Sequence, residues 1–345
     1  MTRRCTGAAN SREINLHCTT IRLRAACAAF VIGLAVTASC AADWKPDRNV
    51  EFTVPTGPGS GVDNTARTLQ MIMQASKLVE APMSVINKPG GSYGVALNYL
   101  SQFAGDGQRL MIQTSTPLSA LLTGQITVDY FAFTPIANLI TEPIAFMVRA
   151  DSPIANGRDL AARIKADPGS ISIALAAARG NAYHIAAALI ARSVGADGRK
   201  LKIVVFGSSA DAVTALMGGH VDVASATPGA FLQLLETKKI RITGVASPRR
   251  LGGALASIPT LREQGVDVVF DVPRSVIGPK GLTPEQVKYW DGVFQRVIKT
   301  PAWKEALEKN QWDEDYMPSA ELAKHLKSQY NILKDVLSEL GMIKP

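Results

Sequence analysis

The sequence predicts an α/β protein of two lobes. Short apolar strands alternate with helix-patterned segments, glycine-rich turns join them, and about three hundred residues beyond the leader suggest roughly two domains. The first strand is Val50–Val54, which feeds Thr56-Gly57-Pro58-Gly59-Ser60-Gly61 and then a helix over 63–77. A second strand at 83–86 leads into Asn87-Lys88-Pro89-Gly90-Gly91-Ser92, a helix at 95–103 and a strand at 109–114. Strand, glycine-rich turn, helix and strand at this spacing predict βαβ units and a mainly parallel sheet.

The middle of the chain repeats this logic. Strands are predicted at 144–148, 171–175, 201–206, 221–224 and 240–246, with helices at 158–166, 184–194 and 210–217. Asp167-Pro168-Gly169 stops the first of these helices, and Ile185, Leu189 and Ile190 keep helical spacing in the second. Farther on, Pro284 and Pro301 suit the first turn of two helices. Residues 320–340 form a long amphipathic helix that ends before Gly341 and packs on a lobe. No tandem repeat, low-complexity tract or long linker interrupts the pattern.

Residues 1–42 predict a secretory signal peptide. Arg3, Arg4, Arg12, Arg22 and Arg24 precede an uncharged, Ala-rich run that exits through Ala38-Ser39-Cys40-Ala41-Ala42. The alternatives are a membrane anchor, for which the run is short, and lipidation at Cys40, for which the preceding Leu is missing. All four cysteines (Cys5, Cys18, Cys27, Cys40) fall in this segment. The remaining chain therefore has no disulfide, thiolate metal site or cysteine nucleophile. Five Arg and one Glu in the leader account for half of the formal +8. The mild balance that is left, with no basic block interleaved with aromatics, gives no nucleic-acid footprint.

Ligands of open α/β sheets sit beyond the carboxyl ends of the strands, where helix N-termini offer unpaired N–H groups and a positive dipole end. Three loops qualify. In the first, Pro58, Gly59, Ser60 and Asp63 are candidates; glycine lets the backbone approach a ligand, and Asp63 caps its helix or touches ligand. In the second, Thr114, Ser115 and Thr116 offer hydroxyls for capping or for contact. In the third, Asn181 is a natural cap, Arg179 suits an anion, Gly180 frees the backbone, and His184 is a structural or ligand-facing imidazole. Gly57-x-Gly59-x-Gly61 misses the dinucleotide spacing at Val62. No zinc helix or serine elbow is present, and His184, His220 and His325 lie in separate segments. No cofactor, catalytic residue or metal ligand is assigned.

Several short segments, in order, resemble the solute-binding receptors of tripartite tricarboxylate transporters, the Bug-type receptors. They are Val54-Pro55 with Gly59, Asp63 and Ala66-Arg67; Asn87-Lys88-Pro89-Gly90; Asp106-Gly107; and Phe133-Thr134-Pro135. Next come Gly180 with His184, Gly218-Gly219-His220-Val221-Asp222, Ile258-Pro259-Thr260, Gly278-Pro279-Lys280-Gly281-Leu282 and Glu339-Leu340-Gly341. Three segments depart from the family pattern: Gly57-Pro58-Gly59-Ser60, Ser92-Tyr93 and Pro273-Arg274-Ser275.

The resemblance implies a type II periplasmic-binding-protein fold, with two α/β lobes, a ligand cleft and a hinge. One lobe comprises 43–142 plus 266–345 and the other 143–265. It also implies a monomer in the periplasm that binds a small organic acid and partners a large and a small membrane subunit. Receptors of this kind grip a carboxylate between loops that map here to 58–63 and 179–184. Arg274, in the late crossing, suits a second carboxylate through a bidentate bond, or else an interlobe salt bridge. Two other functions stay open: a sensor subunit that presents ligand, and an exported hydrolase using the same cleft.

Overall fold

The computed structural model describes residues 44–176, 178–228 and 231–343. The expected signal peptide, and Cys40 within it, lie outside the described residues. Eleven strands form two sheets among the described residues. The first sheet holds β1 (Val50–Val54), β2 (Met83–Asn87), β3 (Arg109–Gln113), β4 (Thr134–Pro143), β10 (Asp271–Gly278) and β11 (Asp313–Pro318), in the spatial order β11-β4-β10-β3-β1-β2. The second holds β5 (Ala145–Arg149), β6 (Ser172–Ala176), β7 (Lys202–Phe206), β8 (Val223–Ala226) and β9 (Ile240–Val245), in the order β7-β6-β8-β5-β9.

The expected βαβ units are present. β1 pairs in parallel with β2 and β3, and β6 pairs in parallel with β7 and β8. The expectation of mainly parallel sheets is corrected, because β10 runs antiparallel to β3 and β4, β11 to β4, and β5 to β8 and β9. Apolar runs mark strands but carry no direction. The chain leaves the first sheet through β4 and enters the second one residue later through β5. It returns through β10, which lies against β4 with Asp271 opposite Pro143 and Val272 opposite Glu142.

The helices between β1 and β4 are α1 (Gly61–Ala75), α2 (Gly94–Ser101) and α3 (Thr116–Leu122). Between β5 and β9 come α4 (Gly157–Ala166), α5 (Ala182–Ser193), α6 (Ser209–Met217) and α7 (Leu232–Glu236). α8 (Pro284–Val297), α9 (Pro301–Asn310) and α10 (Ser319–Glu339) follow β10. Pro284 and Pro301 start their helices as expected, each behind a threonine cap. α1 buries Val62, Ala66, Leu69, Ile72 and Met73, an apolar stripe at helical spacing, against Phe52, Trp290 and Phe294.

The core beneath the two crossings is continuous. Leu118 and Leu122 of α3, Ile185 of α5 and Leu322, Leu326, Leu333 and Leu337 of α10 belong to one buried apolar cluster. α10 therefore packs on helices that follow strands of both sheets, α3 and α5, rather than on one lobe alone. Leu337 is fully buried there. Leu337→Ala is expected to cost about 2–5 kcal/mol of unfolding free energy, the usual loss for an emptied leucine site. Denaturant titration checks this; a loss below about 1 kcal/mol would contradict the packing.

Candidate functional site

The carboxyl ends of the parallel strands in both sheets carry the same small device. After β1, Ser60 caps α1 by accepting a hydrogen bond from the Asp63 N–H at 3.2 Å. Asp63 reaches back and accepts from the Gly59 N–H at 2.8 Å. After β6, Asn181 caps α5 by accepting from the His184 N–H at 3.2 Å, and His184 Nδ1 accepts from the Gly180 N–H at 2.9 Å. Gly59 and Gly180 have φ of +78° and +83°, a region that favours glycine. In each case the cap satisfies one orphan N–H and the third helical residue locks the turn before it.

These bonds define what the loop residues do. Asp63 is buried and also accepts from Arg67 Nε and Asn87 Nδ2, both at 2.9 Å. Burial opposes its ionisation, but the bonds from Arg67, the Gly59 N–H and Asn87 prevail and hold its pKa below the ordinary value. Asn181 donates to the Ala176 carbonyl at 2.6 Å. Because His184 Nδ1 accepts, the neutral ring carries its proton on Nε2. Arg179 is exposed, and its Nη2 donates to the Ile203 carbonyl on β7 at 3.0 Å. Pro58 is exposed at the tip of the first loop. The caps leave the N–H groups of Gly61 and Val62, and of Ala182 and Tyr183, without intrahelical acceptors.

The second loop, 114–116, follows β3. Thr114 Oγ1 accepts from the Thr116 N–H at 3.1 Å and donates within a cluster formed with Thr116 Oγ1 and the buried Tyr93 hydroxyl. Ser115, also buried, starts α3 without a side-chain capping bond.

Arg274 stands on β10, between β4 and β3 in the first sheet. It is 4% exposed, and its Nη2 donates to Glu142 Oε2, which is 3% exposed. Glu142 faces Val272 and Arg274 faces Ile140 across the β4–β10 ladder, so the two charges are diagonal neighbours. Arg274 Nε and Nη1 are buried with no hydrogen-bond partner among the described residues. A Cβ on Gly61 would lie 3.1 Å from Arg274 Nη2, so the start of α1 abuts the guanidinium. Burial raises the pKa of Tyr93 and of Tyr183, while the Arg274 charge pulls both the other way; the guanidinium thus acts on phenols from both sheets' loops.

Glu142, Tyr93, Tyr183 and Gly61 complete the cluster; Gly61 and Tyr183 lie in the candidate loops without being singled out, and Glu142 and Tyr93 were not read from sequence as site residues. The departing segments were the available signal for two of them. Gly57–Ser60 leads to Gly61, Ser92-Tyr93 contributes a phenol, and Pro273–Ser275 contributes Arg274. Their convergence becomes visible only when the strands are paired.

Burial, with the nearby Arg179 charge adding, pushes the His184 pKa down to about 4. Between about pH 6.5 and 4 the unfolded chain then binds a proton that the folded chain refuses, so stability falls as pH falls through that window. Asp271 works in the opposite sense, since burial and then the Asp315 and Asp313 charges raise it to about 6. Comparing wild type with His184→Asn cancels that contribution. Wild type is expected to lose about 3 kcal/mol more than the variant over the window, measured by denaturant unfolding at each pH. Parallel pH profiles would contradict the neutral, clamped imidazole.

A family model described as tripartite tricarboxylate transporter family receptor matches residues 66–342. A UPF0065 protein from the 5′ region of gbd in Cupriavidus necator is 28% identical over 322 residues, which are 92% of this chain and 96% of that protein. The periplasmic binding protein BugD superposes with a TM-score of 0.72 at 22% identity, over 87% of this chain and 100% of BugD. An R. palustris protein with adipate superposes with a TM-score of 0.75 at 21% identity, over 87% of this chain and 99% of that one. The fold of two α/β lobes is therefore shared with these binding proteins, and the chain belongs to the receptor family of the tripartite tricarboxylate transporters.

Proposed function

We propose that the chain captures a small organic carboxylate in a cleft between two lobes and delivers it, unaltered, to the large and small membrane subunits of a tripartite transporter. The observation that carries this reading is the pair of capped helix N-termini, on α1 and α5, the first abutting the buried Arg274 guanidinium and the second holding Tyr183, on which that charge acts. The lobes are 43–142 with 266–345, and 143–265; among the described residues the chain changes sheet only between β4 and β5 and between β9 and β10, which supports that division. The adipate beside the R. palustris relative supports an acid as ligand. BugD, a periplasmic binding protein, supports the periplasm as the compartment, reached through the leader at 1–42. The receptor works as a monomer.

Within the site, Gly59, Ser60, Asp63, Gly180, Asn181 and His184 shape the two loops. The N–H groups of Gly61, Val62, Ala182 and Tyr183 face the carboxylate, with Thr114, Ser115 and Thr116 hydroxyls beside them. Pro58 and Arg179 border the two loops, and Arg274 meets the far end of the ligand. Each helix N-terminus favours an anion by roughly 0.3–1 kcal/mol, up to ~2 when partly buried. Micromolar affinity needs about −8 kcal/mol. Direct hydrogen bonds and apolar burial on closure supply the difference.

A thermal-shift panel of carboxylates, amino acids, aromatic acids and neutral sugars tests this. An acid at about 100 times its Kd should add roughly 2.7 kcal/mol, a shift of a few degrees, and should be recovered chemically unchanged. Solution scattering with the same acid is expected to give a smaller radius of gyration, the mark of hinge closure. Stabilisation by sugars alone would refute the carboxylate reading, turnover of the acid would favour the hydrolase, and an unchanged radius would refute closure.

A further inference from the structure

We propose that Glu142 is a built-in carboxylate that fills one edge of Arg274 and thereby sets selectivity. The cleft takes an acid whose far end is an uncharged hydrogen-bond acceptor, such as an ester, amide, ketone or hydroxyl, in preference to a dicarboxylate. This inference rests on the carboxylate reading above and gives the second subsite its chemistry.

Three observations carry it. Both members of the pair are almost fully buried, so Arg274 is neutralised inside the protein before any ligand arrives. Nε and Nη1 of the same guanidinium are buried donors with no partner among the described residues. Such donors call for an acceptor, since leaving them unpaired is costly. Finally, the guanidinium abuts the backbone at the start of α1, where a Cβ on Gly61 would lie 3.1 Å from Nη2, and its charge acts on the phenols of Tyr93 and Tyr183.

Charge then selects the acceptor. A second carboxylate on Nε and Nη1 would put two anions on one desolvated cation, and like charges in such a site repel strongly. A carbonyl, ester or hydroxyl oxygen satisfies the same donors without that repulsion. From the sequence, Arg274 suits either a ligand carboxylate or an interlobe salt bridge; in the structure Glu142 already supplies a carboxylate.

The test pairs each diacid from malonate to adipate with its monomethyl ester and monoamide, by calorimetry on wild type and Glu142→Gln. Wild type is expected to bind a monoester or monoamide at least about 10-fold tighter than the parent diacid, and Glu142→Gln to gain roughly 10- to 100-fold for the diacid. A wild type that prefers the diacid, or a variant that keeps the wild-type order, overturns the proposal and leaves the carboxylate reading standing. If no member of the series binds either protein, the carboxylate reading fails and this proposal with it. Should Glu142→Gln not fold, the wild-type order still decides. Glu142→Ala offers a check that needs no ligand: formate should raise its melting temperature and leave wild type unmoved, and the absence of that difference also overturns the proposal.

Discussion

The buried ion pair between Arg274 and Glu142 is the constraint on which the site depends. Taking two charges out of water costs several kcal/mol per ion, and removing one partner alone typically costs about 3–5 kcal/mol. Such a pair tolerates little displacement. Its members stand on β4 and β10, the strands through which the chain leaves the first sheet and returns to it. The pair therefore ties together the two strands that lead to and from the second sheet, beside the ladder that sets their register.

Around this pair the chain solves one local problem twice. Each of the two helices begins just past a strand end with its first N–H groups free of intrahelical acceptors. A glycine at positive φ turns the chain, the next residue caps the helix, and the third helical side chain bonds back to the glycine N–H. One version uses an ionised Asp63 braced by Arg67 and Asn87, the other a neutral His184. Chemically different residues thus do the same work, which makes the loops rigid without using up the donors that point onward.

Much of the fold was legible because apolar runs and glycine-rich turns report βα alternation directly. The strands that were missed, β4, β10 and β11, lack that signature. β10 reads Asp-Val-Pro-Arg-Ser-Val-Ile-Gly, a proline and a charge inside a buried strand, and was read only as a crossing. β11 reads Asp-Glu-Asp-Tyr-Met-Pro and is half-buried throughout, an edge strand with no apolar run. β4 begins Thr-Pro and ends Glu-Pro, a pattern that reads as loop. Antiparallel pairing was missed for a related reason, since it depends on how distant strands meet. In the site, Asn181 was readable as a cap because capping is local; Asp63 was read as the cap of its helix, but Ser60 takes that place and Asp63 is the third helical residue, bonded back to the Gly59 N–H. Glu142 was not, because its partner is 132 positions away and no local pattern links them. Tyr93 and Tyr183 gave no periodic signal either.

In the proposed recognition, two helix ends meet the acid and one guanidinium, already balanced by Glu142, meets its far end. A crystal structure of the receptor with a bound acid tests this most directly. The account predicts the carboxylate against the N–H groups of Gly61, Val62, Ala182 and Tyr183, an uncharged oxygen of the ligand on Arg274 Nε and Nη1, and Glu142 still on Nη2. A ligand carboxylate seated on Arg274 with Glu142 swung away, or a ligand bound elsewhere, would contradict it.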